Sequence, residues 1–203
     1  CILRHAESAI HELAEKFSSM QFINAGEGSV AHPSQALLDL MTIQESKDKF
    51  ENLNISIIGD LDHSRVVSSF IEGIQIMGYK NITFCGHPDL CKNYLENSIG
   101  NFEPDLNIAL QDADVVMALR IQNERMTEKL TISASDYVER YQINVDALQV
   151  ADPDMILLHP GPVNFGIELS KEVTELDNCK IKNQIFNGVG MRMAVLTSLF
   201  SQA

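Results

Sequence analysis

NISIIGDLDHSRVVSSFIEGIQIMGYKNITFCG, residues 54–86, carries the pattern that decides the fold. Residues 54–60 form a β-branched, apolar run that stops at Gly59 and Asp60, the signature of a buried strand. Residues 64–78 then place Val67, Phe70, Ile71, Ile74 and Met77 at helical intervals, so one apolar stripe faces a core. NITFCG, 81–86, repeats the strand signal. Strand, helix, strand in this order is a βαβ unit, whose two strands lie parallel in one sheet.

The same alternation continues in both directions. Toward the N-terminus, Ile10, Leu13, Ala14 and Phe17 predict a helix over 5–18, and QFINA at 21–25 predicts a short strand ended by GEGS. Residues 32–50 predict a helix entered at His-Pro, with Leu37, Leu40, Met41 and Gln44 on its stripe. Toward the C-terminus, PDLCKNYLEN predicts a short helix and residues 112–120 a further strand. The polar stretch 127–144 predicts a long surface loop with a helical turn. DMILLHPGPVN, 154–164, is a last strand running into a proline and glycine turn. A closing helix over 182–200 carries Ile185, Val189, Met193, Leu196 and Phe200 on one stripe. Gly188 and Gly190 each cost about 1 kcal/mol in a helix interior, so they admit a close neighbour or mark a break. The expected class is therefore α/β, a doubly wound parallel sheet with its binding residues at the C-terminal ends of the strands.

Composition narrows the function. The 203 residues hold 15 Lys and Arg against 28 Asp and Glu, a net charge of −13, which argues against holding nucleic acid by bulk electrostatics. No apolar run reaches the length of a membrane span, and the charged N-terminus lacks the apolar core of a secretory signal. The four cysteines, Cys1, Cys85, Cys91 and Cys179, have no zinc spacing and no disulfide density, the usage of a reduced, cytoplasmic protein. The first residue is Cys, and a charged, helix-like segment starts almost at once, which leads us to expect a piece of a longer chain.

Four segments carry candidate chemistry. In GEGSVAHPSQALLDL, His32 and Gln35 stand three apart at a helix start, so they share a face beside free N–H groups suited to a carbonyl oxygen or a phosphate. On local grounds alone His-Pro reads first as a common helix entry, Gln35 as a solvated position, and Gly26 and Gly28 as turn residues. In IIGDLDHSRVV, Arg65 follows a strand end, where its planar fork fits a carboxylate or phosphate; a surface pair with Asp60 or Asp62 is the other local reading, and His63 reads as solvated. Only Gly59 is present there, so the GxGxxG dinucleotide fingerprint is absent. In VVMALRIQNER, Arg120 and Gln122 leave an apolar strand two residues apart and point the same way, whereas Arg125 reads as an exposed charge. In LLHPGPVN, prolines beside Gly161 fix the backbone and leave carbonyl oxygens free to face a ligand; on local grounds it is also simply a turn.

Taken in order, AGEGSVAHPSQALLDL, GDLDHSR, LRIQNER, HPGPVN and QIFNGVGMRMAVL resemble the catalytic chain of the aspartate carbamoyltransferase family over essentially the whole sequence. The resemblance implies carbamoyl transfer from carbamoyl phosphate to L-aspartate in pyrimidine biosynthesis, without a metal or organic cofactor. It also implies a homotrimer with active sites between subunits and leaves room for a regulatory chain. By position it implies that Arg4 and His32 are catalytic; that Arg4, His32, Gln35, Gly161 and Pro162 bind carbamoyl phosphate; and that Arg65, Arg120 and Gln122 bind aspartate.

The expected division is 1–31 from a carbamoyl phosphate domain, 32–50 an interdomain helix, 51–182 a Rossmann-like aspartate-binding domain, and 183–203 a helix packing back toward the first domain. Nothing matches the STRT-type phosphate loop or the lysine-bearing loop that a neighbouring subunit supplies. Under the resemblance, then, the chain is the C-terminal part of a catalytic subunit and does not turn over alone. A non-catalytic aspartate-binding or assembly fragment is the alternative from another class. Ornithine carbamoyltransferase is the alternative within the superfamily, and HPGPVN with RIQNER points away from it.

Overall fold

The computed structural model describes residues 1–5, 10–28, 30–96, 99–121 and 132–201. Its centre is a five-stranded parallel sheet built from β3 (Asn54–Ile58), β4 (Asn81–Cys85), β5 (Asn101–Phe102), β6 (Val115–Ala118) and β7 (Ile156–Leu158), in the order β5-β4-β3-β6-β7. Two earlier strands, β1 (Ile2–His5) and β2 (Ile23–Glu27), pair in parallel as a separate small sheet. β1, β5 and the short helix α4 (Leu106–Leu110) carry no strong periodic signal and were not expected from sequence. They are two to five residues long and lie below the window over which a period can be read.

The sheet is buried on both faces. Side chains alternate between faces along a strand, yet every residue of β6 and β7 is buried, as is β3 from Ile55 to Ile58. Registers pair Ile57 with both Phe84 and Met117, which places three fully buried side chains in one row. The helix α3 (Arg65–Met77) contributes Val67, Phe70 and Ile74, all at 0% exposure, and each removes about 1.5–3 kcal/mol worth of apolar side chain from water. Met77, expected on the same stripe, is partly exposed at the helix end.

Three further expectations are corrected. The short helix expected at PDLCKNYLEN is two separate 3-10 turns, Pro88–Leu90 and Lys92–Tyr94, because Pro88 and the side chain of His87 begin a turn that Cys91 breaks. Within the expected loop, α5 (Ala134–Tyr141) is a capped helix: Ser133 Oγ accepts from Asp136 N at 3.1 Å, and Tyr137 and Tyr141 are buried. In α2 (Pro33–Ser46) the buried face is Ser34, Gln35, Ala36, Leu38, Asp39, Thr42 and Ile43, whereas Leu37 is exposed. Of the stripe expected there, Leu40 and Met41 are half-buried and Gln44 is exposed, because polar residues take the inward face.

The last helix, α6 (Ile181–Phe200), runs unbroken through both glycines. Gly188 is buried, and a Cβ there would lie 2.6 Å from Arg192 Nη1 and 3.3 Å from Leu38, so it does admit a close neighbour; Gly190 has nothing within 4 Å. All four cysteines are free thiols. No described helix is long and apolar enough to cross a membrane.

Candidate functional site

The strand order places β3 and β6 side by side at the point where the connections diverge to opposite edges, and such a point opens a crevice at the strands' C-terminal ends. Gly59 follows β3 with φ +125°, and a Cβ there would lie 2.5 Å from Leu119 O, so glycine lets the two strand ends close together at the crevice floor. A cavity of about 300 Å³ lies there, lined by the side chains of Arg4, Arg65, Arg120 and Arg192, by His32 and Gln35, and by the turn Pro160, Gly161 and Pro162.

Each of these groups has a local reason for its place. Arg65 is the first residue of α3, immediately after the β3 loop. Its guanidinium lies over Gly26, where a Cβ would approach Arg65 Cζ and Nη1 to 3.0 Å, and Gly26 itself has φ +126°. His32 precedes α2, and its backbone N–H donates to Ser69 Oγ of α3 at 2.9 Å, which ties the two helix starts together. Burial, then the charges of Arg65, Arg4 and Arg192, push the His32 pKa down to about 4. At neutral pH His32 is therefore an uncharged imidazole with one N–H to donate, among guanidiniums that remain cationic.

Gln35 belongs to a buried chain of amides. Its Nε2 donates to Asp39 Oδ1 at 2.9 Å, and Gln184 Nε2 of α6 donates to the same oxygen at 2.7 Å. Gln184 Oε1 accepts the backbone N–H of His159 at 2.9 Å, and His159 Nδ1 accepts that of Gly161 at 2.9 Å. The Gly161–Pro162 peptide is cis. Asp39 is completely buried, and desolvation raises its pKa to about 7 against the hydrogen bonds from Gln184 and Gln35, which act in the other direction.

Chemically, the cavity offers cationic forks for anions, a neutral imidazole for an oxygen, and a wall formed by the Pro160–Pro162 turn. Among the described residues no group of three or more His, Cys, Asp or Glu is placed to hold a metal ion.

Of the residues expected from sequence, Arg4, His32, Gln35, Arg65, Arg120, Gly161 and Pro162 meet at this one cavity. Gln122 and Arg125 lie outside the described residues. Arg192 also lines the cavity and was missed, since a lone Arg in an apolar helix carries no local signal. Gly26 was read as an ordinary turn residue; its place at a strand end before a helix was the available clue. Two local readings are corrected. Asp60 is fully buried rather than on the surface, and His63 is half-buried rather than solvated, with Nδ1 at 2.7 Å from Asp60 Oδ1. Asp62 accepts from the backbone N–H groups of Lys92 and Asn93.

Residues 51–199 match the family model described as aspartate/ornithine carbamoyltransferase, Asp/Orn binding domain, and residues 1–45 match that of its carbamoyl-P binding domain. The aspartate carbamoyltransferase catalytic subunit of Koribacter versatilis is 41% identical over 99% of this chain and 66% of its own length. Two structures of aspartate transcarbamoylase from Trypanosoma cruzi also match. The complex with carbamoyl aspartate and phosphate has a TM-score of 0.83 at 25% identity, covering 96% of this chain and 64% of that one. The complex with N-(phosphonacetyl)-L-aspartic acid has a TM-score of 0.79 at 27% identity, covering 96% and 65%. The chain spans less than two thirds of the length of the curated relatives it matches.

Proposed function

The chain belongs to the aspartate/ornithine carbamoyltransferase family, and from that premise we propose that its cavity binds carbamoyl phosphate and L-aspartate for transfer of the carbamoyl group, giving N-carbamoyl-L-aspartate and phosphate. The observation that carries this reading is the convergence of four arginines on a neutral His and a buried Gln in one cavity. Carbamoyl phosphate and aspartate are both anionic, and a dicarboxylate needs two forks. Arg65, at the start of the helix that follows β3, and Arg120, just past the end of the adjacent β6, supply them in this reading, with Gln122 as a third aspartate ligand.

Arg4, His32 and Gln35 hold carbamoyl phosphate, with the backbone carbonyls of Gly161 and Pro162 facing its amide. The uncharged amine of aspartate attacks the carbamoyl carbon, and negative charge grows on the carbonyl oxygen. Arg4 and the neutral N–H of His32 stabilise that oxygen, and phosphate leaves with the C–O electron pair and takes up the proton that the amine nitrogen loses. The residues contribute alignment and charge stabilisation and form no covalent bond to substrate. Residues 1–31 belong, in this reading, to a carbamoyl phosphate domain, 32–50 to the interdomain helix, 51–182 to the aspartate domain and 183–203 to a returning helix. A homotrimer, a regulatory chain, a cytoplasmic setting and a place in pyrimidine biosynthesis belong to the same proposal.

A second reading, a binding or assembly module without turnover, is favoured by the exposed apolar side chains of α6, Ile185, Phe186, Val189, Met193 and Phe200. Titration calorimetry with succinate, L-aspartate and L-ornithine in the presence of phosphate tests the substrate class. Binding of the two dicarboxylates, lost in Arg65→Ala, is the expected result; binding of ornithine alone contradicts it. An assay for N-carbamoyl-L-aspartate separates turnover from the binding module.

A further inference from the structure

The amide chain behind the cavity has a polarity that can be read from its ends. The backbone N–H of His159 can only donate, so the group of Gln184 facing it is the carbonyl, and the Gln184 amide nitrogen is the group that meets Asp39. Asp39 Oδ1 is therefore an acceptor, and Gln35 must also present its NH2 to that oxygen. The amide nitrogen of Gln35 is thereby committed inward, and its carbonyl oxygen is the polar atom left for the cavity that Gln35 lines. Asp39 reaches the opposite wall as well: through Gln184 it holds His159 N–H, and His159 Nδ1 holds Gly161 N–H, in the turn that lines the cavity.

We propose that Asp39 is a positioning residue that fixes the side-chain amides of Gln35 and Gln184, so that the cavity presents hydrogen-bond acceptors and selects a ligand carrying an NH2 group over one carrying a methyl group there. This rests on the carbamoyl phosphate reading and gives that reading a source of selectivity. Asp39 touches no ligand itself; it lies a full helical turn behind Gln35 and is completely buried. A site built to accept from an N–H discriminates strongly against an isostere lacking it, because its acceptors are then left desolvated and unpaired.

Two phosphonates make the test. Phosphonoacetamide keeps the NH2 group, and acetonylphosphonate replaces it with methyl; each is titrated calorimetrically into the chain and its variants. The wild-type chain is expected to prefer phosphonoacetamide by at least about 10-fold. Asp39→Leu frees Gln35 to turn over, so that preference falls to about 2-fold or less while acetonylphosphonate affinity changes little. Asp39→Asn keeps an acceptor oxygen and restores most of the preference. Equal weakening of both ligands in Asp39→Leu overturns the proposal, because it would mark general loss of structure.

A second measurement needs no variant. In nuclear magnetic resonance of the wild-type chain, titration of Asp39 is expected to move the side-chain amide protons of Gln35 and Gln184 together. If Gln35 does not respond, the proposal fails even where both phosphonates bind. If neither phosphonate binds the wild-type chain, the carbamoyl phosphate reading fails, and the amide response still decides whether Asp39 fixes the two glutamines.

Discussion

Helices α3 and α6 each carry an apolar stripe in sequence, and they are held in opposite ways. α3 turns its stripe inward, with Val67, Phe70 and Ile74 at 0% exposure, and its hold on the sheet is hydrophobic burial. α6 turns Ile185, Val189, Met193 and Phe200 outward at 62–70% exposure. Its inward face is Gln184, Asn187 and Gly188; Gln184 donates to Asp39 of α2, and Asn187 donates to Thr42 and Glu45. A periodic pattern tells which side of a helix is apolar; it does not tell whether anything covers that side.

The contrast makes graded predictions. Phe70→Ala removes a ring from the fully packed side of α3 and is expected to cost about 3–5 kcal/mol in urea unfolding. A loss below 1 kcal/mol would mean that α3 is not anchored by its stripe. Asn187→Ala breaks donations to Thr42 Oγ1 and Glu45 Oε2 at 3.0 and 2.7 Å, with an expected loss of about 1–3 kcal/mol. Ile185→Ser and Met193→Ser, on the outward face of α6, are expected to change stability by less than about 0.5 kcal/mol. A larger loss would show that this stripe is covered in solution.

The start and the middle of α2 should also respond to pH with opposite sign. His32 is held down near 4 in the folded chain against an ordinary 6.5, so it favours folding above that range and loses this contribution as pH falls from 6.5 to 4. Asp39 is raised from 3.8 to about 7, so its contribution is full below 3.8 and is lost as pH rises to 7. Urea unfolding of Asp39→Asn beside the wild-type chain, at pH 4.5 and pH 8, is expected to favour the variant increasingly at the higher pH. His32→Gln should instead gain on the wild-type chain at the lower pH. Parallel profiles for all three proteins would remove both assignments.

How far the sequence could be read follows from the same contrast. Where an element is buried by its own apolar periodicity, as in β3, α3, β4 and β6, its position and inward residues were legible within a few positions. Where polar residues do the packing, as in α2 with Gln35, Asp39 and Thr42, the inward face was assigned to the wrong residues, because a buried Asp looks like a surface Asp until its donors are known. At the cavity, Arg65 and Arg120 were legible because they follow strand ends. Arg4, His32, Gln35, Gly161 and Pro162 were placed by family resemblance joined to weaker local cues. Arg192 was not legible: it comes from the middle of α6, far along the chain, and reaches the cavity only through tertiary packing.

The central claim, that the arginines around His32 form one anion-binding site for both substrates, is tested most directly by calorimetric titration with N-(phosphonacetyl)-L-aspartic acid, which joins a phosphonate, an amide and a dicarboxylate in one molecule. The account predicts binding at one site per chain, weakened roughly 30-fold or more by Arg65→Ala and by Arg120→Ala in chains that remain folded. Failure of the folded wild-type chain to bind it, or binding that neither substitution weakens, would contradict the account.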